Sequence, residues 1–557
     1  MSSIKPAILV LTSILILTFS FNLISQITED NPAESKYWVF FHDKGELTDV
    51  QIDSALYAIE TSATFKNIQK RAIARPTERP FDYSDLPLNQ DYLDSLTSMG
   101  IKIQRVSKWL NAVSVTGDLN LIRDLPSLEF VDSVALVKVF KRKAPEVESK
   151  PRGLLKPEGA HDLDYGPSFA QLNQISVPQL HDMGLSGEGV LIGVFDTGFD
   201  PDHPVFIDLD VAHTWDFIND DADVKDDFDI QRGHGTSVLS VLAGNASGTL
   251  IGPAYGATFC LAKTEIKNDE IQQEEDNFIA ALEWADSLGC QIVSASLGYI
   301  DWYTKADLDG NTTLVTIASD LAVKKGITVL VAAGNENDGT ETTIIAPADG
   351  DSVIAVGAVK VDGTIASFSS RGPTSDGRIK PDICAGGYLV QIAQYTGGYS
   401  VGSGTSFATP LAAGAVALMI ENDPTLTPME IRQALWSTSD RASNPDNTFG
   451  YGVINALAAM GYSPAEVEDD LLAYPNPFHE IVYIGCNLSQ PGDLRISIHT
   501  LDGIKVWENS TVAGDSTATF AWDGRNAKGE EVANGLYIVF VKGPGLEAIT
   551  KIVKVAE

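Results

Sequence analysis

The sequence predicts an α/β protein: a central parallel sheet with helices on both faces, preceded by a small α+β unit and followed by a β-sandwich. Three observations lead there. The chain has 557 residues, 44% hydrophobic and 20% charged, too long for one ordinary domain and apolar enough to bury several cores. Between about residues 165 and 461, short continuous apolar runs alternate with helical stretches, the mark of strands covered on both faces. Before that region the pattern is mixed, and after it short alternating strands dominate.

The elements follow in chain order. Lys5 and the apolar run 7–24 read as an export signal over residues 1–26. The run is long for a signal, so an uncleaved membrane anchor is the other reading; either way the rest of the chain lies outside the cytoplasm. Residues 27–145 form the α+β unit: a strand at 37–41, helical character over 55–73, a strand at 110–115 and a helix over 118–125. Lys141-Arg-Lys143 and the prolines and glycines that follow mark an exposed linker over 146–164, easily cut by a protease. The central domain spans 165–465, with strands at 190–195, 291–295, 327–332 and 353–357 and helices at 236–243, 277–288, 313–325 and 405–422. Beyond the acidic stretch 466–470, strands at 481–486, 493–499, 505–508, 517–522 and 535–542 alternate with Gly/Asp/Asn turns. Residues 466–557 therefore suit a β-sandwich.

The net charge of −36 is concentrated after residue 150: residues 21–150 carry 16 basic and 19 acidic side chains, residues 151–557 carry 22 and 56. Such a body repels phosphate backbones and anionic lipid, which excludes nucleic acid as a partner. Cys260, Cys290, Cys384 and Cys486 allow three full disulfide pairings or four buried thiols, and none has metal-ligand spacing.

Four motifs carry chemistry. In Val194-Phe-Asp-Thr-Gly198, Asp196 ends a buried strand, where α/β sheets present their functional groups. In Gly233-His-Gly-Thr-Ser-Val-Leu239, His234 stands between glycines at a helix start, so nothing bulky blocks its ring nitrogens. In Val331-Ala-Ala-Gly-Asn-Glu336, Asn335 emerges past a strand end, where its amide can face a developing oxyanion. In Gly402-Ser-Gly-Thr-Ser-Phe-Ala-Thr-Pro410, Ser406 starts a helix whose unpaired N–H groups favour negative charge, with Pro410 expected in the first turn. Each has a plain structural reading alone: helix cap, core histidine, turn asparagine, N-cap serine.

Taken together and in this order, the motifs resemble the subtilisin-like serine proteases. Asp200-Pro-Asp-His-Pro204, Ser294-Ala-Ser-Leu-Gly298 and Ser369-Ser-Arg-Gly-Pro373 with Lys380-Pro-Asp382 extend the resemblance. It implies a secreted serine endopeptidase acting on proteins or peptides, with Asp196, His234 and Ser406 as triad and Asn335 in the oxyanion hole. It further implies that Ser296, Leu297 and Gly298 bind substrate. Ser237 stands where many relatives have His, and Tyr299 where relatives often have a small residue, so specificity does not carry over.

The resemblance also makes the first region an inhibitory propeptide, the rival being a permanent accessory domain. Tyr474-Pro-Asn-Pro-Phe478, Asp502-Gly503, Trp522-Asp-Gly524 and Asn534-Gly-Leu-Tyr537 are similar to C-terminal sorting signals of the type IX secretion system. An adhesion or carbohydrate-binding module is the other reading of that region. No cofactor is required for the chemistry. Structural calcium is common in the family, and the run 216–229 offers seven Asp, although a solvated loop explains them as well. The alternative function is a catalytically silent protease-like surface scaffold or adhesin. Oligomeric state, processing sites and substrate preference are not legible.

Overall fold

In the computed structural model, the described residues are 36–137, 161, 163–225, 232–266, 273–337, 343–461 and most of 471–555. The expected signal (1–26), nearly all of the linker (146–164), the acidic stretch 466–470, Asp226, Asp227 and Asp229 lie outside them. Among the described residues no helix is long and apolar enough to cross a membrane. The chain divides into two units, the second made mainly of residues 461–557.

The first unit opens with an antiparallel sheet ordered β2-β3-β1-β4, from β1 (Lys36–Phe41), β2 (Lys102–Ser107), β3 (Ala112–Thr116) and β4 (Val131–Val137). Between β1 and β2 come α1 (Asp49–Ser62), α2 (Phe65–Ala74) and α3 (Gln90–Ser98); α4 (Leu119–Asp124) precedes β4. The single helical stretch expected over 55–73 is two helices. Thr64 restarts the chain by accepting the Asn67 N–H on its side chain at 3.2 Å, a cap that outcompetes continuation.

The central sheet is parallel throughout, ordered β11-β10-β9-β8-β5-β7-β6. Its strands are β5 (Leu191–Asp196), β6 (Asp210–Asp216), β7 (Thr258–Lys263), β8 (Ile292–Ala295), β9 (Thr328–Ala332), β10 (Ile354–Val359) and β11 (Ile383–Gly386). Successive residues face opposite cores: Ile192 and Val194 pack on one side of β5, Leu191 and Phe195 on the other. The first core holds α5 (Gly233–Ala243) and α8 (Thr405–Asn422); the second holds α6 (Gln273–Leu288) and α7 (Leu314–Lys324). Trp38, Trp109, Ala112 and Val137 of the N-terminal sheet join the second core. A hairpin, β12 (Val390–Gln394) with β13 (Gly398–Gly402), leads into α8. This is the α/β architecture the sequence predicts, with three strands (β6, β7 and β11) that the apolar runs did not mark.

Helix α8 is apolar around nearly its whole circumference and packs against β8, β9, β10 and β11. Its Ala-Ala-Gly-Ala run keeps it slim: a Cβ on Gly414 would stand 2.1 Å from Pro253 Cγ. All four cysteines are buried thiols.

The second unit has two antiparallel sheets. One is ordered β14-β15-β18, from β14 (Leu471–Tyr474), β15 (Val482–Asn487) and β18 (Thr517–Trp522). The other is β17-β16-β19-β20, from β16 (Gly492–Thr500), β17 (Lys505–Ala513), β19 (Gly535–Gly543) and β20 (Leu546–Lys554). Phe478, Ile484, Ile496, Ile498, Trp522 and Val539 share one core, as two packed layers require.

Gly414→Ala tests the packing of α8. Helix propensity alone would favour Ala by about 1 kcal/mol. The collision with Pro253 instead costs roughly 1–3 kcal/mol, so thermal scans at a fixed rate should show a lower unfolding temperature; an unchanged or higher one would refute this packing account.

Candidate active site

The site lies at the C-terminal edge of the central sheet, where β5 has β7 on one side and β8 on the other. That reversal of strand order opens a crevice at the strand ends. Asp196 is the last residue of β5 and is fully buried. Its Oδ1 accepts the Thr197 N–H at 2.7 Å and the Thr197 hydroxyl at 3.2 Å. His234 Nδ1 lies 2.8 Å from Oδ1 and 3.0 Å from Oδ2. A carboxylate can only accept here, so Nδ1 carries the proton and Nε2 is left with the basic lone pair.

The local sequence explains how α5 comes so near. A Cβ on Gly235 would stand 2.2 Å from Gly198 O and 3.0 Å from Asp196 Cβ, so only glycine lets the helix approach. Thr236 Oγ1 accepts the Asp200 N–H at 2.9 Å and ties the segment after Asp196 to the same helix. Ser237 donates to Ala393 O at 2.8 Å and so fastens the β12–β13 hairpin to α5. Its role is structural and was not legible in the motif.

Ser406 sits one residue into α8, after Gly404 and Thr405. The His234 ring is 6.1 Å from that of Phe407. The Ser406 hydroxyl donates to Ser296 O at 3.3 Å, and no hydrogen bond joins it to His234. Asn335 comes from the turn after β9, where Gly334 has φ +109° and a Cβ would strike Ser370 Oγ at 2.7 Å. The Asn335 Oδ1 accepts the Thr405 N–H at 2.9 Å and its hydroxyl at 3.1 Å. This fixes the amide orientation and directs Nδ2 to the other side. A Cβ on Gly404 would stand in ordinary contact with both Asn335 Nδ2 and Ser406 N, 3.7 Å from each, which places these two nitrogens on the same side of the helix start.

Pro410 lies in the second turn of α8, not the first, because the helix already begins at Thr405. Without an N–H, Pro410 leaves the Ser406 carbonyl lacking its i+4 donor. The Ser296 hydroxyl takes that place, donating to Ser406 O at 2.7 Å. Ser296 is buried, whereas Leu297 and Gly298 are partly exposed. Among the three residues expected to bind substrate, the Ser296 side chain is thus committed to α8.

Ile345 was not legible as a site residue. Its Cδ1 lies 2.4 Å from where a Cβ on Gly298 would stand, and its Cγ2 3.0 Å from the same point on Gly334. It thereby fills the space between the two segments bordering the site. Tyr299 is buried, pairs with Ala346 through two backbone hydrogen bonds and donates its hydroxyl to Glu265. Burial, then the Glu265 charge, pushes its phenol well above the ordinary range, so it stays a neutral donor.

Two of the described aspartates of the run 216–229 are engaged by protein partners. Asp216 accepts from Lys263 Nζ at 2.7 Å, Asn219 Nδ2 at 2.9 Å and the Ile218 and Asn219 N–H groups, and Asp220 pairs with Arg105 at 3.0 Å.

The subtilase family model matches residues 187–452, and a model described as the Peptidase S8 propeptide domain of Bacteroidota matches residues 36–151. The chain is 32% identical to subtilisin E of Bacillus subtilis (strain 168) over 368 residues, 66% of this chain and 85% of that one. It is 34% identical to a subtilisin of Bacillus pumilus over 302 residues, 54% of this chain and 99% of that one. With subtilisin Savinase of Lederbergia lenta the identity is 30% over 289 residues, 52% of this chain and 97% of that one.

Ser296→Ala should leave the Ser406 carbonyl without a donor and lower kcat about tenfold with KM little changed, since a lost buried hydrogen bond is worth roughly 1–2 kcal/mol. Adding Pro410→Ala restores a helical N–H and should recover much of that loss. Steady-state kinetics on the single and double variants checks it; a double variant no better than Ser296→Ala contradicts it.

Proposed function

Because this chain belongs to the subtilase family and is a serine endopeptidase with a propeptide domain, we propose that Asp196, His234 and Ser406 are its catalytic triad and that Asn335 completes its oxyanion hole. The observation that carries this is the His234 Nδ1 contact to the buried Asp196 carboxylate, 2.8 Å long, at the strand edge that also bears Ser296 and Asn335. His234 Nε2 takes the Ser406 proton as Oγ attacks the peptide carbonyl, and Asp196 holds the tautomer and stabilises the imidazolium. The oxyanion is held by Asn335 Nδ2 and the Ser406 N–H. His234 then protonates the leaving amine, and water repeats the cycle on the acyl-enzyme. Since the Ser296 hydroxyl is occupied, the substrate pairs with the main chain of 296–298.

The remaining assignments are proposals of the same kind. Residues 27–145 act as an inhibitory propeptide, 146–164 as the cut linker, 165–465 as the protease and 466–557 as a sorting domain. The signal 1–26 sends the protein to the exterior. The type IX secretion machinery is the partner of the C-terminal unit, on the strength of the Trp522-Asp-Gly524 and Asn534-Gly-Leu-Tyr537 turns. Calcium, where bound, is structural.

Peptide hydrolysis by the processed protein tests the site. Ser406→Ala and His234→Ala should each abolish turnover to near background, while Asn335→Leu should lower kcat by roughly 100–1000-fold with little effect on KM. Full activity in the Ser406→Ala protein would overturn the assignment.

A further inference from the structure

The N-terminal region meets the protease domain at a second place, on the sheet edge opposite the site. Gly289 precedes β8 and Gly326 precedes β9, whereas Ser296 and Asn335 follow those same strands. At about 3.3 Å per residue the two edges are roughly 15–20 Å apart.

Helix α2 covers that far edge. A Cβ on Gly289 would stand 2.8 Å from Asn67 N, and one on Gly326 would stand 2.7 Å from Lys70 O. The backbones therefore touch. Around them lies a closed set of charges. Arg71 Nη2 donates to Asp286 Oδ2 at 2.5 Å and to Asp85 Oδ1 at 2.8 Å. Lys70 Nζ reaches Asp286 Oδ1 at 2.7 Å. In return, Lys325 of the protease domain donates to Asp85 at 2.9 Å and to Ser84 Oγ at 2.7 Å, over the Trp109 ring. Each side supplies a cation to the other's carboxylate. The side chains of Arg71, Asp286 and Lys325 are only 0%, 1% and 2% exposed.

The piece that carries α2 has its own small core of Leu56, Phe81 and Leu86 with Ile52, Ile59 and Ile68. That core is separate from the one under the N-terminal sheet, built on Val39, Leu96, Val113 and Ile122. The sheet meets α6 through Trp38, which donates to Asp276 at 2.8 Å, and through Ser107, which donates to Glu283 at 2.6 Å. The region thus grips the protease with two separately packed parts.

We propose that the charged surface formed by Asp286, Gly289, Lys325 and Gly326 is an independent docking site that retains the 27–145 region on the protease after the linker is cut. The inference rests on reading that region as a propeptide. Cutting the linker touches none of these contacts. Departure bares Asp286 and Lys325 together, and removing one partner of a buried ionic set acts chiefly on the rate of leaving.

The test uses the full chain with Ser406→Ala and a recognition sequence for an unrelated site-specific protease placed within 146–164. After cutting, loss of the N-terminal region is followed by gel filtration over time. Asp286→Asn and Arg71→Met should each speed that loss at least tenfold. Asp286 belongs to the protease side, so its variant leaves the fold of the α2 piece intact. Loss at the parent's rate in both variants overturns the proposal, as does immediate loss from the parent. Retention is read without any activity, so the propeptide reading is judged separately: if the Ser406 parent hydrolyses peptide equally well with the region bound and departed, that reading fails while the retention result still decides the docking site.

Discussion

The structure depends on one buried helix. Helix α8 runs through the core against four parallel strands, and only a slim, apolar helix can do so. Its position forces the rest. The first turn emerges beside the ends of β8 and β9, so Ser406 meets Ser296 and Thr405 meets Asn335. Pro410 then ties the helix to the sheet, because the carbonyl it orphans is satisfied by Ser296 and not by the helix itself. A chain segment that is wholly structural over four turns thereby ends in a serine held by two independent elements.

Buried carboxylates are frequent in this acidic chain, and their partners separate structure from chemistry. Asp216 is paired with Lys263 at 2.7 Å and Asp382 with Lys380 at 2.6 Å, buried ion pairs in which each carboxylate is held by a lysine of its own strand neighbourhood. Asp196 faces an imidazole instead. An imidazole differs from a lysine in having a second ring nitrogen, and with Nδ1 turned to the carboxylate that nitrogen is free to face a neighbouring group. The 22% exposure of the His234 side chain leaves the ring reachable from solvent.

Much of this was legible in the sequence, for identifiable reasons. The four motifs lie where strand ends and helix starts are punctuated by glycine, so the order Asp196, His234, Asn335, Ser406 reads directly along the chain. Strands β8 and β9, which run apolar on both faces, were equally plain, whereas β7 went unmarked although Phe259 to Ala262 are apolar on both faces. The edge strand β6 was not plain, since Asp210, His213 and Asp216 give it a polar face. The four-residue β11 contains a glycine and carries too few apolar residues to stand out. Strand β20 is broken by charged residues at 547, 551 and 554. Contacts between distant segments left no local signal at all. Ile345 meets Gly298 across 47 residues of chain, and Ser237 meets the hairpin 156 residues away.

The most direct test of the account is to treat the processed protein with a fluorophosphonate and locate the adduct by peptide mass mapping. The account predicts one adduct, on Ser406, formed rapidly in the parent and very slowly when Asp196→Asn deprives His234 of the correct tautomer. An adduct on another serine, or labelling at an unchanged rate in the Asp196→Asn protein, would contradict it.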